Sequence, residues 1–342
     1  MATKMYRGGV FGFGEMGQEA TTRINFDRWY GDDVQIVGVC DRGKEKLKLA
    51  EERFGLKASK DPRELVAMDL DFALVTSTTV AHAEHGLMLA EAGVPMLMEK
   101  PIALSYAQGK AMCDAVKKHK VETVVNYGRR FDPAMRKMKS IIDEGKLGRL
   151  LSFDGAIYRG VGVYEAGYRH RAVVEPEESG GWIVHHACHT VDIAWWFMGD
   201  VEEVSTMTLS TVPGKFSEEV LMGHLRFKNG AIGQIFDTVG GVKGDNTAVV
   251  GTNGGIRTTE GAGARLINIR LTGDRDTGPA RVLDPRETHK HFDATTMLIK
   301  IVKEGGKSDV TVHDALESLR ISLAMRESAM SGGKWVKVSS IK

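Results

Sequence analysis

Two short stretches hold the residues with the clearest chemistry. Gly12-Phe13-Gly14-Glu15-Met16-Gly17 fits G-x-G-x-x-G, and Glu99-Lys100-Pro101 closes an apolar run, Val94-Pro95-Met96-Leu97-Met98. In the first, Gly12 permits a tight turn, Gly14 lets the backbone approach a pyrophosphate, and Gly17 allows close helix-strand packing. The helix N-terminus adds partial positive charge. Glycine-rich turns also occur without ligands. This one follows a strand-like run and opens a helical pattern, which points to a dinucleotide. In the second stretch, the ordinary fate of Lys100 is a solvated loop lysine. Beside an oxidised, cationic nicotinamide its pKa would fall, and it could share a proton with a reacting oxygen. Together the two stretches predict redox chemistry on an alcohol or carbonyl.

Other residues extend this reading. Asp41 ends the second strand-like run, where a carboxylate can accept hydrogen bonds from ribose hydroxyls, favouring NAD. Arg42 and Lys44 beside it keep NADP open, since either could neutralise a 2′-phosphate. Thr76, Ser77 and Thr78 follow the strand ending at Val75, where hydroxyls either line the nicotinamide side or cap the next helix. His82 is placed to approach the cofactor, whereas His85 reads as packing or surface. His185, His186, Cys188 and His189 form a second cluster, with His185 and His189 on one helical face. Cys188 points elsewhere and no His-Glu-x-x-His or Cys-x-x-Cys pattern occurs, so no metal is expected. One of these histidines could serve as general base, with Asp192 orienting the His189 ring. Polar groups satisfied at a crevice are the alternative.

The elements that must position these groups are legible in outline. Strand-like runs at Val10-Phe11, 34–40, 72–75, 94–99 and 123–126 alternate with helical patterns at 16–29, 44–54, 82–92 and from Ser105 to near 118. Gly55 and Gly93 serve as stops, Asp61-Pro62 opens a further helix, and Ser105 with Gln108 forms a capping box. This alternation predicts a doubly wound parallel sheet. After about residue 128 the pattern becomes α+β. Helices are expected at 133–144, 181–198 and 312–330. Strands are expected at 150–158, 201–211, 221–227, 231–238, 247–250 and 266–271, with Asn229-Gly230 as a hairpin turn. The fold class is therefore α/β, with a Rossmann domain over 1–127. An α/β domain with an open, mostly antiparallel sheet follows over 128–342.

Composition bounds the function. The 342 residues include 46 Lys+Arg and 45 Asp+Glu, for a net charge of +1, and 42% are apolar. Near-neutral charge argues against a nucleic-acid binder. No apolar run reaches membrane-spanning length. Three scattered cysteines and a start that leads straight into a strand fit a reducing, cytoplasmic setting.

Taken in order, these motifs closely resemble the glucose-fructose oxidoreductase, inositol dehydrogenase and rhizopine-catabolism family (Gfo/Idh/MocA). The likeness adds Tyr127 to Pro133 with Arg129-Arg130-Phe131, Gly180-Gly181, His189-Thr190-Val191-Asp192, Gly251-Thr252-Asn253-Gly254 and Glu327-Ser328-Ala329. It implies that Lys100 and His189 flank the substrate and that the Lys100-Pro101 bond is cis. It also implies oligomer contacts through the second sheet, as a homodimer or homotetramer. Many relatives carry aspartate where this chain has His185, so the proton relay differs here. The expected cofactor set is Gly12 to Gly17 with Asp41, Arg42, Thr76, Ser77, Thr78, His82, Glu99, Lys100 and Arg129. The expected catalytic set is Lys100, His189, His185 and Asp192. The substrate surface adds Tyr127, Tyr158, Tyr168, Arg169 and Trp182. The expected activity is an NAD-dependent dehydrogenase, with NADP possible, acting on a secondary hydroxyl of a sugar, sugar derivative or cyclitol. A redox-neutral glycosidase with tightly held NAD and a dinucleotide-binding sensor are the competing readings.

Overall fold

A computed structural model describes residues 4–160, 176–210, 218–261, 264–272, 281–283 and 292–342. The chain divides into two compact units. The first joins residues 1–127 to Phe292–Leu316, and the second joins 128–291 to Glu317–Lys342. The expected second domain runs continuously from 128 to 342; by contacts, the segment Phe292–Leu316 returns to group with the first unit. The helix Ala294–Glu304 carries that return. It packs on strands of the first sheet. Tyr30 donates its hydroxyl to Asp293 at 2.9 Å, and Lys303 pairs with Asp33 at 2.5 Å.

The first unit is built on six parallel strands: β1 (Tyr6–Phe11), β2 (Val34–Cys40), β3 (Lys57–Ser59), β4 (Phe72–Val75), β5 (Met96–Met98) and β6 (Thr123–Val125). Their spatial order is β3-β2-β1-β4-β5-β6. The crossover helices are α1 (Glu15–Asn25), α2 (Lys44–Phe54), α3 (Pro62–Val66), α4 (Thr79–Glu91) and α5 (Tyr106–His119). Strands β4 and β5 are buried along their whole length, which is why they read as unbroken apolar runs. The expected stops hold: Gly55 lies in the left-handed region, Asp61 accepts the Arg63 N–H, and Ser105 accepts that of Gln108. Helix α1 ends at Asn25, four residues short of the expected end. Arg28 takes φ +55°, a conformation that cannot continue a right-handed helix.

Among the described residues, the second unit carries nine strands. They are β7 (Leu150–Tyr158), β8 (Val201–Leu209), β9 (Val220–Phe227), β10 (Ile232–Thr238), β11 (Gly244–Gly251), β12 (Gly254–Gly261), β13 (Ala264–Leu271), β14 (Arg281–Leu283) and β15 (Val336–Lys337). The order is β14-β13-β12-β11-β7-β10-β9-β8-β15. Among the described strands, only β7 and β10 pair in parallel. One face packs against helices around Phe153, Trp182, Val191, Leu225 and Phe227. The other leaves Met207, Leu209, Met222, Ile232, Val250 and Val282 exposed. The expected helix over 181–198 forms over that whole span, with a π-helical turn at Ile183–Ala187 ahead of the α-helix Cys188–Met198. Gly180 and Gly181, at its head, both take positive φ.

That helix is anchored by a buried ion pair. Arg130 donates from Nε and Nη2 to the two Asp192 oxygens at 2.7 and 2.6 Å, and Ser318 donates to Oδ1 at 2.9 Å. The guanidinium lies over Trp195 and Trp196, at 5.5 and 5.2 Å. Asp192 and Arg130 have essentially no exposure. Removing one partner strands the other charge out of water, whereas replacing both with apolar groups does not. Asp192→Ala is therefore expected to cost about 3–5 kcal/mol, and Arg130→Met with Asp192→Leu to restore most of that. Urea unfolding followed by tryptophan fluorescence checks both; equal stability of Asp192→Ala and wild type would refute the anchor.

Candidate active site

In the first unit, the residue just past each central strand remains in the hydrogen-bond ladder. Gly12 N–H donates to Cys40 at 2.7 Å, Thr76 to Phe11 at 2.8 Å, Glu99 to Val75 at 2.9 Å and Asn126 to Met98 at 2.9 Å. The carboxyl edge of the sheet is therefore aligned, with the glycine turn after β1, the hydroxyl loop after β4 and Glu99-Lys100 after β5 as neighbours. Strand order reverses between β1 and β4, the place where open α/β sheets bind ligands.

The three glycines have different tasks. Gly12 takes φ +100°, and a Cβ there would sit 2.3 Å from Ser77 Cα. A Cβ on Gly17 would sit 2.3 Å from the Gly12 carbonyl oxygen, which also accepts the Thr76 hydroxyl at 2.6 Å. Around Gly14 the space is open, with Lys46 Nζ the nearest atom at 3.9 Å. Gly14 is the N-cap of α1 and brings no side chain to its first N–H groups. This open, amide-lined cradle fits a pyrophosphate. Glu15 and Met16 are exposed at the head of α1. The Phe13 ring is buried edge-on against Phe54, so only its backbone serves the loop.

That backbone N–H donates to Asp41 Oδ2 at 2.8 Å, and Gly43 N–H donates to Oδ1 at 2.7 Å. Asp41 is thereby fixed to the glycine turn at the end of β2. Arg42, Lys44 and Lys46 beside it are exposed. Thr78 is the N-cap of α4. Ser77 bonds its hydroxyl to His85 Nδ1 at 3.1 Å, and burial, with help from His82 and Arg42, lowers the His85 pKa to about 4. His82 was expected at the cofactor. Its ring is buried, and both nitrogens face backbone carbonyls, those of Pro101 and Ser77. Its hydrogen bonds are with the chain itself. Desolvation raises the Glu99 pKa against the pull of the Asn126 amide, which donates to it at 2.6 Å, and of Lys100. Lys100 is half-buried and the Lys100-Pro101 bond is cis.

In the second unit the histidines separate. His186 is buried, stacked on Trp182 at 4.3 Å, with Nδ1 2.9 Å from Asp237 Oδ2. Trp182 donates its indole N–H to the same carboxylate at 2.8 Å. The His186 ring meets His189 edge-on at 5.8 Å. Asp237, fully buried on β10, carried no sequence signal beyond an acid in an apolar strand pattern. Arg129, expected at the cofactor, donates to Thr247 at 2.7 Å and Thr190 at 3.3 Å. Asp192, expected to orient His189, is held by Arg130 and Ser318 as described. Tyr127 and Trp182, expected on the substrate surface, are core residues, whereas Tyr158 is exposed and packs on Phe236 at 5.2 Å. His185 and His189 are half-buried. Tyr168 and Arg169 lie outside the described residues. Among those described, no group of three metal-ligating side chains converges and no helix is long and apolar enough to cross a membrane.

A glycine turn at the switch point of a six-stranded parallel sheet, followed by an α/β unit of its own, defines a two-unit dinucleotide-binding protein. This chain belongs to the Gfo/Idh/MocA oxidoreductase family: residues 6–127 match its NAD-binding Rossmann fold and 139–338 its C-terminal alpha/beta domain. It is 27% identical to myo-inositol 2-dehydrogenase of Thermotoga maritima over 334 residues, 94% of this chain and 95% of that one. It is 25% identical over 250 residues to D-glucoside 3-dehydrogenase of Escherichia coli, covering 68% of this chain and 70% of that one. The structure of levoglucosan dehydrogenase with NADH and levoglucosan has the same fold, with TM-score 0.84, 23% identity and coverage of 98% and 99%. The protein is an oxidoreductase whose cofactor is NAD.

The glycine geometry separates binding from folding. Gly14→Val, pointing into open space, should keep the wild-type melting temperature while weakening NADH at least about tenfold, or about 1.4 kcal/mol. Gly12→Ala should lower the melting temperature as well, because its Cβ meets backbone. Thermal melts and NADH fluorescence titrations check the pair; unchanged NADH affinity in Gly14→Val would remove the cradle.

Proposed function

We propose that this protein is a dehydrogenase that moves a hydride between NAD and a secondary hydroxyl or carbonyl of a sugar, sugar derivative or cyclitol. The observation that carries this reading is the aligned carboxyl edge, which sets Lys100 one strand over from the hydroxyl loop and two from the glycine turn. When bound, the nicotinamide accepts or returns the hydride. The chain's own work is position and charge. Lys100 donates a hydrogen bond to the reacting oxygen and stabilises the negative charge it gains as its proton leaves. Its half-buried setting strengthens that interaction relative to water. His189 takes the hydroxyl proton during oxidation and returns it during reduction, a task suited to an imidazole near neutral pH. His185 tunes that exchange. Asp41 accepts the adenosine ribose hydroxyls and repels a 2′-phosphate, which supports NAD over NADP. The relatives named above act on inositol, a glucoside and levoglucosan, and this supports a polyhydroxylated ring as substrate.

The test is a nicotinamide-absorbance screen against inositols, sugars and sugar acids, with NAD and NADP in parallel. Lys100→Met should lower kcat by about 10²–10⁴-fold while NADH affinity stays within a few-fold. Near-normal turnover in that variant sinks the role of Lys100, and a higher kcat/KM with NADP sinks that of Asp41.

The open sheet face supports a homodimer or homotetramer, and the free cysteines Cys40, Cys113 and Cys188 fit the cytoplasm. Met207 and Met222 are cross-strand partners on that face, and Ile232, Val250 and Val282 extend it. Large apolar side chains left exposed on an open sheet face, here interspersed with Arg226, Gln234 and Arg257, mark a protein contact. Met222→Glu should shift the wild-type oligomer to monomer in light scattering after size exclusion. A wild type that runs as a monomer at micromolar concentration rules the interface out.

A further inference from the structure

His82 sits where two loops of the first unit meet. It lies on α4, is 2% exposed, and places Nδ1 2.7 Å from the Pro101 carbonyl oxygen and Nε2 2.9 Å from that of Ser77. Carbonyl oxygens only accept, so each ring nitrogen bonds by donating an N–H. The imidazolium makes both bonds, and either neutral tautomer makes one while the ring still fills the gap. The two carbonyls belong to the segments that matter most. Pro101 directly follows Lys100. Ser77 is the residue whose backbone lies against Gly12 with no room for a Cβ. A continuous path therefore runs from the glycine turn through Ser77 and the His82 ring to Pro101 and Lys100.

We propose that His82 is a positioning residue that sets Lys100 in register with the dinucleotide loop by wedging its ring between the Pro101 and Ser77 carbonyls and donating a hydrogen bond to one of them. It touches neither cofactor nor substrate. Its effect passes through Lys100, so its catalytic meaning rests on the role given to Lys100 above, but the tie itself is a matter of geometry. Holding a charged group to within a fraction of an ångström is where such a second contact contributes most. Ser77 is further braced by His85, on the same helix as His82, so α4 grips the hydroxyl loop twice.

The experiment reads Lys100 directly. Protein saturated with NADH is labelled with trace acetic anhydride, and the Lys100 and Lys110 peptides are quantified by mass spectrometry in wild type, His82→Phe and His82→Gln. His82→Phe keeps a ring of similar size without its hydrogen bonds, and His82→Gln keeps a donor nitrogen on a more flexible side chain. Lys100 should label about fivefold faster in His82→Phe, the size expected for one lost hydrogen bond. His82→Gln should fall between, with Lys110 and NADH affinity unchanged. Should His82→Phe fail to fold, the His82→Gln comparison decides alone. Unchanged Lys100 labelling overturns the proposal, and so does a matching rise at Lys110, which signals general loosening. Turnover adds a second discriminator. If His82 acts through Lys100, His82→Phe lowers kcat in wild type but not further in Lys100→Met; an equal loss in both backgrounds overturns the positioning role. Failure of Lys100→Met to lower kcat would instead strike the reading of Lys100, leaving the labelling result intact.

Discussion

No carbon fits between Gly12 and the backbone of Ser77, and the first unit is organised around that close approach. The turn after β1 and the loop after β4 touch as bare backbone at the point where strand order reverses. This leaves the first turn of α1 uncapped toward open space at Gly14. It also holds Thr76 in hydrogen-bond reach of the Gly12 carbonyl. The cradle is therefore a by-product of packing. A larger residue at Gly12 or Gly17 would push the loops apart, whereas one at Gly14 would leave the packing alone and fill the cradle. The same fingerprint contains two constraints on folding and one on binding.

Charge is handled differently in the two units. In the first, acids at the sheet edge are braced mainly by backbone or amide donors, as Asp41 is by Phe13 and Gly43, with Lys46 at 3.5 Å, and Glu99 is by Asn126. In the second, buried carboxylates hold side chains. Asp192 fixes Arg130 under two tryptophans, and Asp237 fixes His186 and Trp182. Fully buried acids of this kind are tolerated because every one has charge-assisted partners. They fix the faces of the helix Cys188–Met198 and hence the direction in which its histidines project.

The parallel sheet was legible because its signals are local. Apolar runs, glycine stops and caps at Asp61 and Ser105 lie within a few residues of the elements they define. The glycine fingerprint and Lys100 were legible for the same reason. What escaped was decided at long range. Strand β12, with its glycines and threonines, becomes a strand only by pairing with β11 and β13. The π turn arises where two left-handed glycines meet the Glu218 carboxylate, which accepts the Ile183 N–H at 2.6 Å from 35 residues away. The task of Asp192 could not be read from its spacing to His189, because its partners, Arg130 and Ser318, are distant in sequence. The bonds of His82 were hidden too, because both of its acceptors are carbonyls, which every residue has.

The return of residues 292–316 to the first unit bears on how the chain acquires its structure. Val125 N–H donates to the Val310 carbonyl and Val312 N–H to the Thr123 hydroxyl, so the edge beyond β6 is finished by residues nearly two hundred positions later. Chains emerge from the ribosome N-terminus first. The nucleotide-binding sheet is therefore made early but stays incomplete along β6 while the whole of β7 to β14 is synthesised. Closing so long a loop is slow relative to local pairing. Assembly of the cofactor-binding unit thus waits on the arrival of residues 292–316, although its six strands are all made within the first 125 residues.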